Sequence, residues 1–288
     1  MVVTARLLRP IAALALVVGI VIGTAADRSP QRQPVRSGEY LILAGDFHVH
    51  AAPGDGSLTP GELRDEAVRA GIDVFAVTNH NQFLAPLLVA WLTPSPDAPL
   101  VIPGEEITDR NYHLIAVGIH DVVRPGPPAA RLAAEIHAQG GIAIAAHPGN
   151  AFAWRDDSAL SSIDGTEVAH PEHEEKYRRE YLETFARARR VNPHIAPIGS
   201  SDVHNTPALG ECRTFLFVRE RSVSGVLDAI RAGRTVAENE RGEFFGDPSL
   251  IERIRQMPPR GRTDPHPRWR RLSIALAWTG MAGLLLLA

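Results

Sequence analysis

Short apolar runs alternate along this chain with longer stretches that carry polar faces and end at glycine, which predicts strands and helices in turn. Tyr40 to Val49 is an apolar run of strand length and predicts a buried strand. Pro60 to Ala70 predicts a helix: Thr59 can cap it, Pro60 suits its first position, Glu62 sits in the first turn and Gly71 can end it. Val74 to Thr78 is a short apolar strand. Val101 to Thr108 and Tyr112 to Ile119 flank the polar turn Asp109-Arg110-Asn111 and predict a hairpin. Pro128 to Gln139 reads as a helix stopped by Gly140-Gly141, and Ile142 to Ala146 as a strand. Thr166 to Ala169 reads as a further strand, and Glu174 to Arg190 as a charged, exposed helix. Ile195 to Gly199 and Thr214 to Val218 read as strands, Val223 to Ala232 as a helix closed by Gly233, and Thr235 to Ala237 as the last strand. This alternation predicts an α/β fold with a largely parallel sheet, and the number of strands suits a barrel.

Both ends differ from the middle. Arg6 and Arg9 precede an apolar run from Ile11 to Ile22 and then Gly23-Thr24-Ala25-Ala26, the order of a signal peptide or of a retained anchor. The last 17 residues, Leu272 to Ala288, carry no charge and sit at the lower limit for a membrane span. The expected division is a signal peptide or anchor over 1–26, a linker and strand lead-in over 27–42, a central domain over 43–246, a Pro/Arg-rich linker over 247–271 and a hydrophobic, membrane-spanning segment over 272–288. Within these, Gln31 to Ser37 and Met257 to Arg268 read as linkers. The order of the first segment argues for export of the central domain. Arg28, Arg32 and Arg36, with Arg268, Arg270 and Arg271, argue for the cytoplasm by the positive-inside rule. Export is the preferred expectation, with the cytoplasmic side left open.

Composition narrows the chemistry. Hydrophobic residues form 44% of the 288, so a buried core is available and disorder is not the default. The formal net charge is -3 and Lys176 is the single lysine, so no basic excess points to nucleic acid as a partner. One cysteine, Cys212, rules out an internal disulfide and any Cys-rich metal site. A metal here must be held by His, Asp and Glu.

Such residues recur where the predicted strands end. His48 and His50 close the first strand, and residues two apart on a strand face one way. Asp55 follows in the turn Gly54-Asp55-Gly56. His80 follows the second strand, Glu106 lies in Pro103-Gly104-Glu105-Glu106, and His113 opens the returning strand. His147 precedes Pro148, and Asp202 and His204 follow the strand that ends at Gly199. A lone histidine at a strand end is ordinarily a satisfied surface or core residue. Nine ligand-type residues at successive strand ends point instead to one face of a barrel, where active sites form. Imidazole and carboxylate together suit zinc, manganese or iron.

These residues resemble the PHP family, named for polymerase and histidinol phosphatase domains, over about Leu43 to Asn239. Gly45-Asp46-Phe47-His48-Val49-His50 is similar to the family's opening motif, and Thr78 to Asn81 to its Thr-Asp-His-Asn block, with Asn79 in place of the usual aspartate. Pro103 to Glu106, His113, His147-Pro148 and Ser201-Asp202-Val203-His204 are similar to the later motifs, the ligand being Glu106 in preference to Glu105. The resemblance implies a distorted seven-stranded β/α barrel, here flanked by N- and C-terminal hydrophobic segments, with two or three divalent ions. It implies a first ion on His48, His50, Glu106 and Asp202, a second shared through Glu106 with His113 and His147, and a third on Asp55, His80 and His204. It further implies hydrolysis by a water activated at ions held by Glu106, His50 and Asp202, with no Ser or Cys nucleophile.

The electrophile in most of the family is a phosphoryl group, so a small-molecule phosphoester is the first expectation. An export-like segment before a short PHP domain is also similar to the carbaryl hydrolase branch (CehA/McbA type), which implies a carbamate or carboxylic ester. A third expectation is a metal-binding, membrane-anchored domain without turnover. Arg213 is a candidate for binding a substrate phosphate, against its ordinary reading as a surface charge. His170, His173 and Arg155 lie in a segment placed to cover the site and are candidate substrate contacts.

Overall fold

The structure, a computed structural model, describes residues 2–26, 34–83, 98–149, 152–171, 175–205, 209–258 and 267–286. The chain divides into two units, one made of residues 1–30 and 262–288 and the other of residues 31–261. His173 lies outside the described residues. The elements begin with α1 (Val2–Ala26), β1 (Val35–Ser37), β2 (Tyr40–Val49), α2 (Pro60–Ala70), β3 (Val74–Val77), β4 (Leu100–Thr108) and β5 (His113–Val117). They continue with α3 (Ala129–Ala138), β6 (Ile142–Ala146), a 3₁₀ turn (Phe152–Arg155), α4 (Asp157–Ser162), β7 (Gly165–Ala169) and α5 (Glu175–Val191). The last are β8 (Ala196–Gly199), β9 (Arg213–Val218), α6 (Val223–Arg231), β10 (Thr235–Glu238), β11 (Phe244–Gly246), α7 (Pro248–Arg255) and α8 (Pro267–Leu286).

The sequence signals act as physical chemistry expects. Thr59 and Glu62 form a reciprocal capping box on α2, Pro60 occupies the first turn, and Gly71 closes the helix in the left-handed conformation at φ 73°. The Asp109–Asn111 turn joins β4 and β5 as an antiparallel pair, with Thr108 opposite His113.

All the strands join one sheet in the order β11-β10-β9-β2-β3-β4-β5-β6-β7-β8, with β1 beside β2. The sheet is mixed, which corrects the expectation of a largely parallel one. Pairing is parallel through β2-β3-β4 and β6-β7-β8 and antiparallel at β4-β5, β5-β6, β2-β9 and β9-β10. The turn at 109–111 reverses β4 into β5, but β5-β6 and β9-β10 are antiparallel although α3 and α6 lie between them, so the edge at which each strand docks, and not the length of its connection, sets its direction. Two stretches read as linkers also carry elements. Residues 35–37 pair with β2 as β1, and α7 sends Ile254 into the core. Neither α4 nor β11 was legible, both being short.

The sheet curls until β8 meets β9 and β10, and threonine side chains close the gap. Thr214 Oγ1 accepts from the Gly199 N–H and donates to the Gly199 carbonyl, both at 2.9 Å, and Thr235 Oγ1 donates to the Pro197 carbonyl at 3.0 Å. The result is a nearly closed barrel. Leu43, Phe47, Ile102, Ile144, Ile198 and Leu216 fill one buried cluster together with residues of α6. On the opposite strand face, Ile42, Ala44, Phe75 and Phe217 pack with α2 and α7, and Leu114 and Ala143 pack with α3 and α4.

In the terminal unit α1 and α8 pack against each other. Among the described residues one segment is long and apolar enough to cross a membrane, Leu8–Ala25, with a mean hydropathy of 2.1. It lies near the N-terminus, where anchors and signal sequences alike are found.

Candidate metal centre

A break in β2 decides where its histidines point. Ile42 and Ala44 lie in one buried cluster and Leu43 and Phe47 in another, as alternation requires. Val49 rejoins Ile42, because the register shifts between Asp46 and Val49. That bulge turns His48 and His50 toward the end of the barrel. Both are buried, at 0% and 1% exposure.

Glu106 is the hub. Its neighbour Glu105 points the other way on the pleat and accepts the Val123 N–H at 3.0 Å. Glu106 Oε2 lies 3.1 Å from His48 Nε2, 3.3 Å from His50 Nε2 and 2.7 Å from His80 Nδ1. Oε1 lies 2.7 Å from His113 Nδ1 and 3.2 Å from His147 Nε2. Asp202 Oδ1 completes the first group, 3.2 Å from His48 Nε2 and 3.1 Å from His50 Nε2. Asp55 gathers another: Oδ2 is 3.4 Å from His80 Nε2 and 3.3 Å from His204 Nε2, and Oδ1 accepts from His50 Nδ1–H at 3.0 Å. All nine expected residues therefore meet at one end of the barrel.

The donor set fits divalent cations. His48 Nε2, His50 Nε2, Glu106 Oε2 and Asp202 Oδ1 are buried atoms with no hydrogen-bond partner, and they face one another. Such atoms are costly to bury unless something binds them. Three sets place ligand atoms within 4.8 Å of one another: His48, His50, Glu106 and Asp202; His50, Asp55, His80 and His204; and His80, Glu106 and His113. The third differs from the expected second ion in bringing His80 to Glu106, while His147 sits beside the same carboxylate.

The second ring nitrogens of His48 and His204 are engaged in ways that aim the first. His48 Nδ1–H donates to Glu167 Oε1 at 3.0 Å, and the His147 N–H donates to Glu167 Oε2 at 2.5 Å. His204 Nδ1–H donates to the Asp202 carbonyl at 2.9 Å. Carboxylates and carbonyls behind ligand histidines fix the tautomer and the ring orientation. Asp46 accepts the N–H of Ser201 at 3.1 Å and of Gly210 at 2.9 Å, tying the 200–210 loop to β2. Asn79 accepts the Ala51 N–H and donates to the Ala51 and Pro53 carbonyls. An ionised aspartate has no hydrogen for those two carbonyls, so the asparagine serves the loop before Asp55. Sequence reasoning missed Glu167 and Asp46 as site residues. The available signal was a carboxylate inside an otherwise apolar or small strand.

The electrostatics are those of carboxylates facing imidazoles. Burial pushes His50 down, but the Asp202 and Glu106 carboxylates outweigh it and raise it to about 9. His48 also ends well above its usual value: burial opposes its charge, and Asp202, Glu106 and Glu167 overcome that. Burial pushes Glu106 and Asp202 up, yet the facing histidines, His48 foremost, hold both carboxyls far below the carboxylate range. Burial raises Asp46 to about 6 despite its N–H donors. Strain gathers here too: His147 at φ 24° and Asp202 at φ 47° are left-handed without being glycine.

The expected substrate contacts fare differently. His170 Nε2 lies 3.3 Å from Asp202 Oδ2, at the edge of the centre. It also lines a cavity of about 350 Å³ with Arg178, Tyr181, Asn239 and Arg241. Arg213 donates to the Gly210 carbonyl at 2.6 Å and the Ala70 carbonyl at 3.2 Å, and faces Glu238 at 3.5 Å, so its described partners are structural. Arg155 is exposed and lines a smaller cavity of about 130 Å³ with Gly149 and Trp154.

Residues 186–235 match the family model described as PHP-associated. No curated protein matches the chain. A two-domain protein from Bacteroides vulgatus containing a predicted PHP-like metal-dependent phosphoesterase superposes with a TM-score of 0.60 at 24% identity, over 78% of this chain and 72% of that one. The lesion-specific endonuclease EndoQ from Pyrococcus furiosus superposes with a TM-score of 0.49 at 14% identity, over 82% of this chain and 71% of that one. The chain thus carries a PHP-associated segment and shares its fold with a PHP-like protein.

Proposed function

We propose that the chain is a metal-dependent hydrolase acting on phosphoesters of small molecules. The observation that carries this is the convergence of four buried, unpartnered atoms, on His48, His50, Glu106 and Asp202, beside further histidines grouped around Glu106 and Asp55. The fold shared with a protein described as a predicted metal-dependent phosphoesterase supports the same reaction class. When bound, two or three ions of zinc, manganese or iron would supply a water acidic enough to ionise near neutral pH and a counter-charge for phosphoryl oxygens.

The chain's own residues do the placing. Glu106 presents one oxygen to each neighbouring group, which suits a bridging carboxylate. Glu167 holds His48 with its Nε2 toward the centre. His170 steadies the outer oxygen of Asp202 and opens onto the 350 Å³ cavity, placed to take the rest of the substrate. Cys212 is no rival nucleophile: it is buried, and burial together with Glu240 pushes its thiol far above the usual range.

The deciding assay compares p-nitrophenyl phosphate, a phosphodiester and a p-nitrophenyl carboxylic ester on the manganese- or zinc-loaded chain. The control is the His48→Ala, His50→Ala protein. Turnover of phosphate substrates that vanishes in the control is the expected result. Turnover of the carboxylic ester alone would transfer the site to the carbamate and ester branch. Bound metal with no turnover at all would leave a metal-binding domain.

A further inference from the structure

α1 and α8 run antiparallel, and small residues line the seam between them. A Cβ added at Gly19 would lie 2.6 Å from the Ala277 nitrogen, and one added at Gly280 would lie 2.4 Å from the Leu16 nitrogen. Gly23 meets Ser273 and Gly283 meets Ala12 along the same line. Backbones this close, with Gly19 and Gly23 four apart, are how helices associate in lipid, where apolar side chains gain nothing by leaving their surroundings. Away from the seam the pair presents large apolar side chains: Ile11, Leu14 and Val21 on α1, and Ile274, Trp278 and Leu285 on α8, are all exposed. Large apolar side chains exposed along both helices mark an interaction face. Leu8–Ala25 is about 27 Å long at 1.5 Å per residue, close to the hydrocarbon thickness of a bilayer.

Charge gives the direction. Arg28, Arg32 and Arg36 follow α1, and Arg268, Arg270 and Arg271 open α8, so both helices carry arginine on the flank that leads to the central domain. On its other flank α1 carries Arg6 and Arg9 before the apolar run. By the positive-inside rule Arg268, Arg270 and Arg271 put the start of α8 on the cytoplasmic side, and the antiparallel packing puts the end of α1, with three arginines after it against two before it, on the same side.

We propose that α1 and α8 form one antiparallel hairpin embedded in a lipid bilayer, with α1 retained on the mature chain and the intervening domain on the cytoplasmic face. A segment cut off as a signal peptide would leave the glycine-lined face of α8 without the helix it fits. This reverses the export expected from the order of the N-terminal segment alone, an order that retained anchors share.

The full chain, tagged at its N-terminus and expressed in a bacterium, tests this with three readouts. Membranes washed with alkaline carbonate should keep a chain of full mass that still carries the tag. A chain shortened by the first segment, or released by the wash, would overturn the proposal. Asp228 is exposed and Cys212 is buried, so an Asp228→Cys chain reports the side of the domain through a membrane-impermeant maleimide. Labelling only after cell lysis is expected, and labelling of intact cells would overturn the orientation. In an Ala12→Cys, Gly283→Cys chain, mild oxidation should join the helices, because a Cβ at 283 falls 2.9 Å from that of Ala12 and small shifts reach disulfide spacing. Failure to join, with the chain still in the membrane, would remove the hairpin.

Discussion

Glu167 shows at the scale of one side chain how the centre is aimed. It is fully buried, holds the His48 ring by Nδ1 and the His147 backbone by its N–H, and touches no proposed ligand atom. Glutamine at 167 has one acceptor oxygen for two donors, so one of them loses its partner. We expect Glu167→Gln to lower divalent-metal affinity by about 10- to 100-fold, read by calorimetric titration, with the circular dichroism spectrum unchanged. Wild-type affinity in that variant would remove the positioning role. His50 gives a pH dependence with a definite sign. Its metal-free value near 9 means that a proton must leave before Nε2 can bind an ion, so affinity should rise with pH up to about 9. The same raised value stabilises the metal-free fold below the ordinary histidine range, and that contribution is lost as pH rises through 9. Metal-free protein should therefore lose thermal stability over the interval in which metal binding strengthens; affinity that is flat with pH would contradict both.

Among the elements, the sensitive joint is where β8 meets β9 and β10. No ladder closes the barrel there, and the buried Thr214 hydroxyl satisfies both backbone groups of Gly199. Valine has the same shape and neither hydrogen-bonding role, so Thr214→Val leaves a buried N–H and carbonyl unpaired. The expected cost is about 2 kcal/mol, measured by urea denaturation. A change near zero would show that the closure rests on packing alone. The bulge in β2 is the other element that matters, since it turns His48 and His50 to the barrel end while Phe47 stays in the core.

For the whole molecule, the centre joins the ends of β2 and β4 to the segments after β3, β6 and β8, so an ion bound there ties distant parts of the chain together. At free metal about 100 times its Kd, one ion stabilises the fold by about 2.7 kcal/mol. For a domain of this size that raises Tm by roughly 5–10 °C. Removing metal with a chelator should reverse the shift in scanning calorimetry, and the His48→Ala, His50→Ala protein should not respond. Equal Tm with and without metal in the unmodified chain would argue that the cluster holds no ion.

The sequence by itself determined what depends on neighbours along the chain. Capping residues placed α2, the polar turn at 109–111 placed the β4-β5 hairpin, and two-residue spacing put His48 with His50 and Asp202 with His204. Recurrence of ligand types at strand ends marked nine residues, and the fold brings these to one end of the barrel together with Glu167 and His170. Only the tertiary structure decided what depends on partners far apart in sequence. The sheet is mixed because strand direction is set by which edges meet, which no single strand encodes. The bulge that aims His48 appears only as a register shift against β3. Glu167 takes its role from a ring 119 positions away, and Arg213 is bonded to the carbonyls of Gly210 and Ala70, contacts that its own neighbourhood in the sequence does not announce. Residue type told what chemistry was available, and the folding of distant strands onto one barrel end decided which side chains could perform it.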